Sequence, residues 1–331
     1  GATLDLLGYD ETVALAVISC TLNSRLPNPG APAAATIGGQ GPLADQPLPT
    51  GSGTLTAIEF QLHGAWVNAN LGTGSLFNLS GVSTLNGTAA GDEVSVQAGT
   101  LRLGGSDRLA DTAVLSVGAN AILDLQGFDE TVGSAWLSGT LNGWSMPFSP
   151  QPDVFDKSPE LVAWNPPPPG SGTLTAAHYY LDGAEIFANL GTGILINTGG
   201  DTILYGTAAA GQVTVEAGTL MLGISDRLAD TATLSVWGNA TLDLMGNDET
   251  VALALIRGSL NSRQPNRVGP ATMPFRVDGP QAGMFLGTGT LTAAEYQLDG
   301  AWVSANLGTG NLFNTGGVST LYGTAAAGLV S

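Results

Sequence analysis

The stretch "AILDLQGFDETV", residues 121–132, determines how the rest of the sequence is interpreted. It recurs as "ATLDLLGYDETV" at 2–13 and as "ATLDLMGNDETV" at 240–251, 119 residues away in each direction. The phrases "GTLTA", "ANLGTG" and "GTAA" also occur three times each, in the same order. The sequence is therefore built from a repeat of 119 residues, which is shortened to 117 in its third copy.

The repeat predicts the domain organisation. We expect residues 1–331 to form one continuous segment, with a partial repeat at 1–93, a complete repeat at 94–212 and a partial repeat at 213–331. Arrays of this kind add stability repeat by repeat, so we expect the segment to belong to a longer array.

A finer rhythm inside each repeat predicts the fold. Short segments such as "AGTLRLG" and "SGTLNG" alternate apolar and polar residues, and Gly, Asn or Asp separates them. One inward-facing residue per turn serves as a marker, and the markers recur at intervals of roughly 16 to 22 residues when the long insertions are left out. The sequence predicts an all-β fold, a right-handed parallel β-helix (β-solenoid). The markers are Leu101, Leu123, Leu141, Ile186, Leu204 and Leu220.

Three insertions interrupt the repeats at one point, at residues 24–52, 143–171 and 262–288, and they hold all 18 prolines. Proline cannot donate to a strand ladder, so its confinement there predicts that the remainder is hydrogen-bonded. The insertions differ from one another in composition, and we interpret them as loops that pack on the solenoid and also contact another molecule. Packing alone is the alternative. The candidate interaction residues are Trp144, Phe148, Phe155, Trp164, Arg263, Arg267, Phe275, Arg276 and Phe285.

Charge and apolar content exclude some partners. The net charge of −18 repels phosphate backbones and anionic lipid, so we expect no nucleic-acid partner. No apolar run is long enough to form a transmembrane helix, so we expect no membrane insertion of this segment. A single cysteine, Cys20, allows no disulfide within the chain.

The adjacent carboxylates of Asp129 and Glu130 could hold a metal, take part in acid–base chemistry or form a turn. Aligning neighbouring turns of the solenoid places Arg108 opposite Glu130 and Arg227 opposite Glu249, which predicts solvated ion pairs worth at most about 1 kcal/mol each. Carboxylate oxygens suit calcium, but the glycine-rich calcium nonapeptide pattern is absent. We predict no metal site and no cofactor.

No common catalytic motif is present, such as a nucleophile elbow, a phosphate-binding loop or paired histidines. The sequence therefore predicts a protein that is not an enzyme. The alternative is a polysaccharide-acting β-helix enzyme, a lyase or hydrolase with acids clustered on one face.

The phrases "AGTLRLGGSDRLADTAVLSVGANAILDLQGFDETV" (98–132) and "GSGTLTA" with "GTGSLFN" (51–57 and 72–78) resemble the passenger repeats of Gram-negative autotransporters and of filamentous-haemagglutinin-like, two-partner-secreted proteins. The resemblance covers the solenoid turns and leaves out the three insertions. It implies a location at the outer-membrane surface or outside a Gram-negative cell.

The expected function is that of a structural or adhesive repeat segment in a large secreted surface protein, forming or decorating an extracellular fibre or matrix. The expected partners are further copies or a continuation of the same array, and a glycan or protein receptor of a host or matrix.

Overall fold

The computed structural model describes residues 2–24, 53–144, 170–263 and 288–331. These residues form strands, turns and bends, and no helix occurs among them. The high glycine content is consistent with this, because each glycine costs about 1 kcal/mol in a helix relative to alanine.

The strands of the described residues are short. The first seventeen are β1 (Thr3–Asp5), β2 (Glu11–Thr12), β3 (Leu15–Ile18), β4 (Thr21–Asn23), β5 (Thr54–Thr56), β6 (Glu59–His63), β7 (Trp66–Val67), β8 (Asn70–Leu71), β9 (Ser75–Ser80), β10 (Val82–Leu85), β11 (Glu93–Val96), β12 (Gly99–Leu103), β13 (Val114–Val117), β14 (Ala121–Asp124), β15 (Glu130–Leu137), β16 (Thr140–Asn142) and β17 (Thr173–Asp182).

The second half of the chain follows the same order of elements. Its strands are β18 (Glu185–Ile186), β19 (Asn189–Leu190), β20 (Ile194–Gly199), β21 (Asp201–Leu204), β22 (Gln212–Val215), β23 (Gly218–Leu222), β24 (Thr233–Val236), β25 (Ala240–Asp243), β26 (Glu249–Ile256), β27 (Ser259–Asn261), β28 (Thr290–Asp299), β29 (Trp302–Val303), β30 (Asn306–Leu307), β31 (Asn311–Gly316), β32 (Thr320–Leu321) and β33 (Leu329–Val330).

The chain divides into two compact bodies. The first contains the described residues up to 144 with 170–179 and 187–191, and the second contains 180–186 and the described residues from 192 onward. In the first body, face A is made of β1, β4, β7, β10, β12, β14 and β16, face B of β3, β6, β9, β11, β13 and β15, and face C of β2, β5 and β8.

The second body repeats this arrangement. Its face A contains β18, β21, β23, β25, β27, β29 and β32, and its face B contains β20, β22, β24, β26, β28, β31 and β33. Each turn of the chain, called a rung below, contributes one strand to face A and pairs in parallel with its neighbours. The predicted parallel β-solenoid is confirmed, and the 14 strands counted on face A correspond to about 14 turns. The right-handed sense of the coil stays a prediction.

Aliphatic side chains fill the interior in vertical ladders. On face A of the first body, Leu22, Val67, Leu85 and Leu103 stack in consecutive rungs and are almost completely buried. Each buried side chain contributes about 2 kcal/mol of transfer free energy, so the ladder stabilises every rung against the next.

The register of face A differs from the prediction at one step. Leu101 pairs with Leu123 as expected, but Leu204 pairs with Leu222, while the predicted partner Leu220 pairs with Thr202. The inward hydroxyl of buried Thr202 accepts a hydrogen bond from the Ala184 N–H at 3.3 Å. A shift of two residues keeps inward side chains inward, whereas a shift of one would reverse the faces.

A buried tyrosine supports the interior of face B. The Tyr179 hydroxyl accepts a hydrogen bond from the Ala176 N–H (2.8 Å) and donates one to the Leu174 carbonyl (2.9 Å). Tyr296 makes the equivalent pair of bonds in the third repeat, and Phe60 occupies the position in the first. Burial raises the pKa of Tyr179 to about 12, so it remains a neutral hydroxyl.

Tyr179→Phe should destabilise its rungs by about 1–3 kcal/mol, because it leaves the Ala176 N–H and the Leu174 carbonyl without this partner. Hydrogen exchange at Ala176 and the urea midpoint measure the loss. The reciprocal variant Phe60→Tyr is the control, since it adds the hydroxyl where the chain lacks it. Equal midpoints for Tyr179→Phe and the parent protein would contradict this role of the hydroxyl.

Candidate functional site

The repeated Asp–Glu pair does not form a two-carboxylate site. Asp129, which immediately precedes β15, is exposed, whereas Glu130, the first residue of β15, is 1% exposed. General acid–base chemistry by two carboxylates requires both to face one substrate. Each of these two carboxylates instead accepts hydrogen bonds from main-chain N–H groups.

The aspartate holds the chain where it returns from each insertion. Asp129 Oδ1 accepts a hydrogen bond from the Thr173 N–H at 2.9 Å. The bond is repeated in the other two copies, between Asp10 and Thr54 (2.9 Å) and between Asp248 and Thr290 (2.8 Å). The re-entry point of each insertion is therefore fixed by the same contact.

A second contact closes the base of each insertion. The Gly53 N–H donates to Ser24 Oγ at 2.8 Å, and the Gly289 N–H donates to Ser262 Oγ at 2.9 Å. A Cβ atom at Gly53 would overlap this serine hydroxyl, so the close approach requires glycine. The middle repeat has Gly143 in place of the serine, and its carbonyl accepts from the Gly172 N–H at 2.9 Å. The residue at which each insertion begins is therefore hydrogen-bonded to the glycine that follows the insertion.

Buried Glu130 replaces a missing main-chain acceptor. Its carboxylate accepts hydrogen bonds from the N–H groups of Arg108 (2.8 Å), Leu109 (3.2 Å) and Thr131 (3.3 Å). Glu249 makes the same three contacts with Arg227 (2.8 Å), Leu228 (3.2 Å) and Thr250 (3.2 Å).

The length of one rung explains why a side chain is needed. Most steps on face A take 18 residues, as from Leu85 to Leu103, but the rung that carries "SDRLADTA" takes 22, from Leu101 to Leu123. At this corner the Leu71 N–H donates to the Thr88 carbonyl and the Ala89 N–H donates to the Arg108 carbonyl, so main-chain bonds link each rung to the one above. The Leu109 N–H, which is next in this series, donates to Glu130 Oε1 instead of a main-chain carbonyl.

The predicted ion pairs Arg108–Glu130 and Arg227–Glu249 are wrong, although the predicted proximity of these residues is correct. The main-chain N–H of each arginine reaches the carboxylate, and the guanidinium points to the rung below. Arg108 Nη1 donates to the Asn86 carbonyl at 2.9 Å, and Arg227 Nη1 donates to the Tyr205 carbonyl at 2.8 Å. The glutamates are also buried rather than solvated.

Burial controls the ionisation of these glutamates. It raises the pKa of Glu130 and of Glu249 to about 7, despite the lowering effect of three N–H hydrogen bonds on each. The nearby carboxylates of Asp107 and Asp226 raise these pKa values further.

Two other buried aspartates are paired with arginines from different rungs. Asp124 lies 3.3 Å from Arg102 Nε of the rung below, and burial raises its pKa even though Arg102 opposes this. In the next repeat Met221 stands opposite Asp243 and cannot supply a charge. Arg263, from the rung above, supplies it, with Nε 3.1 Å from Asp243 Oδ2.

Arg263, one of the predicted interaction residues, is thus engaged within its own chain, and its side chain is 22% exposed. Its equivalent in the middle repeat, Trp144, packs edge-on against Phe187 with ring centroids 5.6 Å apart. The remaining candidate interaction residues lie outside the described residues. These are Phe148, Phe155, Trp164, Arg267, Phe275, Arg276 and Phe285.

The corner at the end of the face A strands, where the insertions begin, differs in sequence between repeats. In the first repeat, Asn86 Nδ2 donates to Asn68 Oδ1 and Asn68 Nδ2 donates to Asn23 Oδ1, both at 2.7 Å, which forms an amide ladder. The equivalents of Asn68 and Asn86 are Phe187 and Tyr205 in the second repeat, and Ser304 and Tyr322 in the third. The side chains at this corner therefore differ in chemistry from repeat to repeat.

Among the described residues, no group of three or more His, Cys, Asp or Glu side chains is arranged to hold a metal ion. The part of the chain that the structure describes contains no helix that is long and apolar enough to cross a bilayer. No protein-family model, curated protein or solved structure matches this chain.

Arg263→Met should destabilise the protein by roughly 2 kcal/mol, because buried Asp243 loses its cation. Adding Met221→Arg should restore most of this, since it reproduces the geometry of Arg102 and Asp124. Denaturant unfolding measures both changes. Arg257→Met is the control, because Arg257 and Asp299 form an exposed pair at 3.5 Å and its loss should cost less than about 1 kcal/mol. If Arg263→Met/Met221→Arg is no more stable than Arg263→Met alone, an arginine at position 221 cannot replace Arg263 as the partner of Asp243.

Proposed function

We propose that the chain is a structural and adhesive repeat segment of a large secreted surface protein of a Gram-negative bacterium. In this role the solenoid forms or decorates an extracellular fibre or matrix, and the insertions make the specific contacts. The partners proposed are further copies of the array and a glycan or protein receptor of a host or matrix. The source and location rest on the resemblance of the repeat phrases to autotransporter and haemagglutinin-like passengers.

The observation that carries the proposal is the closed base of each insertion. Ser24 with Gly53 and Ser262 with Gly289 bring the two ends of an insertion within hydrogen-bonding distance. Asp129 and its two equivalents then fix the second residue after each insertion. A segment held in this way can change in sequence at little cost to the rungs, which suits a scaffold that presents different contact segments.

The differences between repeats support the same role. The insertions vary in composition, and the corner beside them varies too, from an amide ladder at Asn68 and Asn86 to aromatic rings at Phe187 and Tyr205. A set of identical enzyme sites would require the same groups in each repeat. A set of contact surfaces does not.

The carboxylates also favour a scaffold over a polysaccharide-acting enzyme. Asp129 is exposed and Glu130 is buried, and both already accept hydrogen bonds from main-chain N–H groups. Asp124 and Asp243 are buried and paired with arginines. Each buried carboxylate among these therefore has a partner within the fold that accounts for its presence.

Loop replacement tests the proposal. Replacing residues 25–52 with Gly-Gly should leave the β-rich circular dichroism and the unfolding midpoint nearly unchanged, because Ser24 and Gly53 already meet. The same replacement at 145–169 and at 264–287, combined with the first, should reduce binding to immobilised matrix proteins and glycans, and self-association in sedimentation, at least tenfold.

Two outcomes would overturn the proposal. One is that the loop-free protein binds and associates as well as the parent protein. The other is turnover of a polysaccharide by the parent protein that Asp129→Ala or Glu130→Ala abolishes. The variant Glu93→Ala, which changes an exposed glutamate on face B, controls for general loss of charge.

A further inference from the structure

Glu130 and Glu249 interrupt an otherwise aliphatic inner ladder. At the face C corner of the first body, Leu55, Leu71, Ala89 and Leu109 stack in successive rungs before Glu130 is reached. In the second body Ala208 stacks on Leu228, and Glu249 stacks on Leu291. Both glutamates are 1% exposed, so each carboxylate is shielded from water within this column of apolar side chains.

No cation faces either carboxylate from the described elements packed against it. From the turn below, Asp107 and Arg108 approach Glu130, but Asp107 is negative and the Arg108 guanidinium binds the Asn86 carbonyl. Asp226 and Arg227 are arranged in the same way below Glu249, where Leu291 lies on the rung above. The exposed neighbours Asp129 and Asp248 point away toward the N–H groups of Thr173 and Thr290.

We propose that Glu130 and Glu249 make the turns at 104–109 and 223–228 sensitive to pH, closed when the glutamic acids are protonated and prone to local opening when they are ionised. A protonated side chain is neutral and can remain among the leucines. An ionised one has only N–H dipoles to stabilise it, and opening of the turn gives it water.

The direction of the effect follows from proton linkage. Burial raises the pKa of both groups from an ordinary value of 4.5 to about 7 in the folded chain. The closed turn therefore binds more protons than the open turn between these pH values, so closure is favoured at low pH and is weakened as pH rises through about 7. A shift of this size corresponds to a change on the order of a hundredfold in the closing equilibrium of each turn.

Hydrogen exchange at pH 5.5 and pH 8.5, corrected for the intrinsic dependence of exchange on pH, tests the proposal. Protection of the amides of Arg108, Leu109, Arg227 and Leu228 should fall by 10- to 100-fold at the higher pH. The variant Glu130→Gln/Glu249→Gln should show equal protection at both values, since it cannot ionise. Glu11→Gln is the matched control, because Glu11 has the same motif position but is exposed, and it should keep the parent's pH dependence.

A carboxyl ¹³C titration of the parent protein provides a second measurement that does not depend on the variants folding. Midpoints near 7 for two glutamates support the proposal, and midpoints near 4.5 for all of them overturn it. Protection that is independent of pH in the parent protein, or equally dependent on pH in the double variant, also overturns it.

Discussion

Main-chain hydrogen bonding between parallel rungs is the constraint on which the rest of this structure depends. Each rung must offer its N–H and C=O groups to the rungs above and below, and a buried group without a partner costs several kcal/mol. The strands satisfy this on faces A and B. The corners cannot always do so, and side-chain oxygens of Asp129, Glu130 and Ser24 take up the N–H groups that remain. The carboxylates that first suggest chemistry are thus part of the hydrogen-bond network of the fold.

The same constraint explains how irregularity is tolerated. A rung of 22 residues among rungs of 18 is accommodated because Glu130 spans the gap that the longer turn leaves. Insertions of more than twenty residues are tolerated because their ends meet at a single hydrogen-bonded base.

The buried carboxylates fall into two kinds, those paired with an arginine and those bound only by main-chain N–H groups. Asp124 and Asp243 each have an arginine, drawn from the rung below in one case and from the rung above in the other. Arg102 lies directly opposite Asp124, whereas Arg263 lies two residues beyond Asn261, the residue opposite Asp243, and its side chain reaches back to the carboxylate. Glu130 and Glu249 have no such cation, and burial therefore raises their pKa values toward neutrality.

The sequence by itself determined the repeat, the parallel β-solenoid and the position of the insertions. These follow from local signals, namely apolar residues at alternate positions, glycine and asparagine at corners, and proline confined to three segments. Only the tertiary structure decided which atoms meet across rungs. It placed Leu222 rather than Leu220 on Leu204, turned the guanidinium of Arg108 away from Glu130, and assigned Arg263 to Asp243. Alignment of one-dimensional phrases cannot supply these contacts, because they depend on the register of neighbouring rungs and on the direction in which each side chain leaves the backbone.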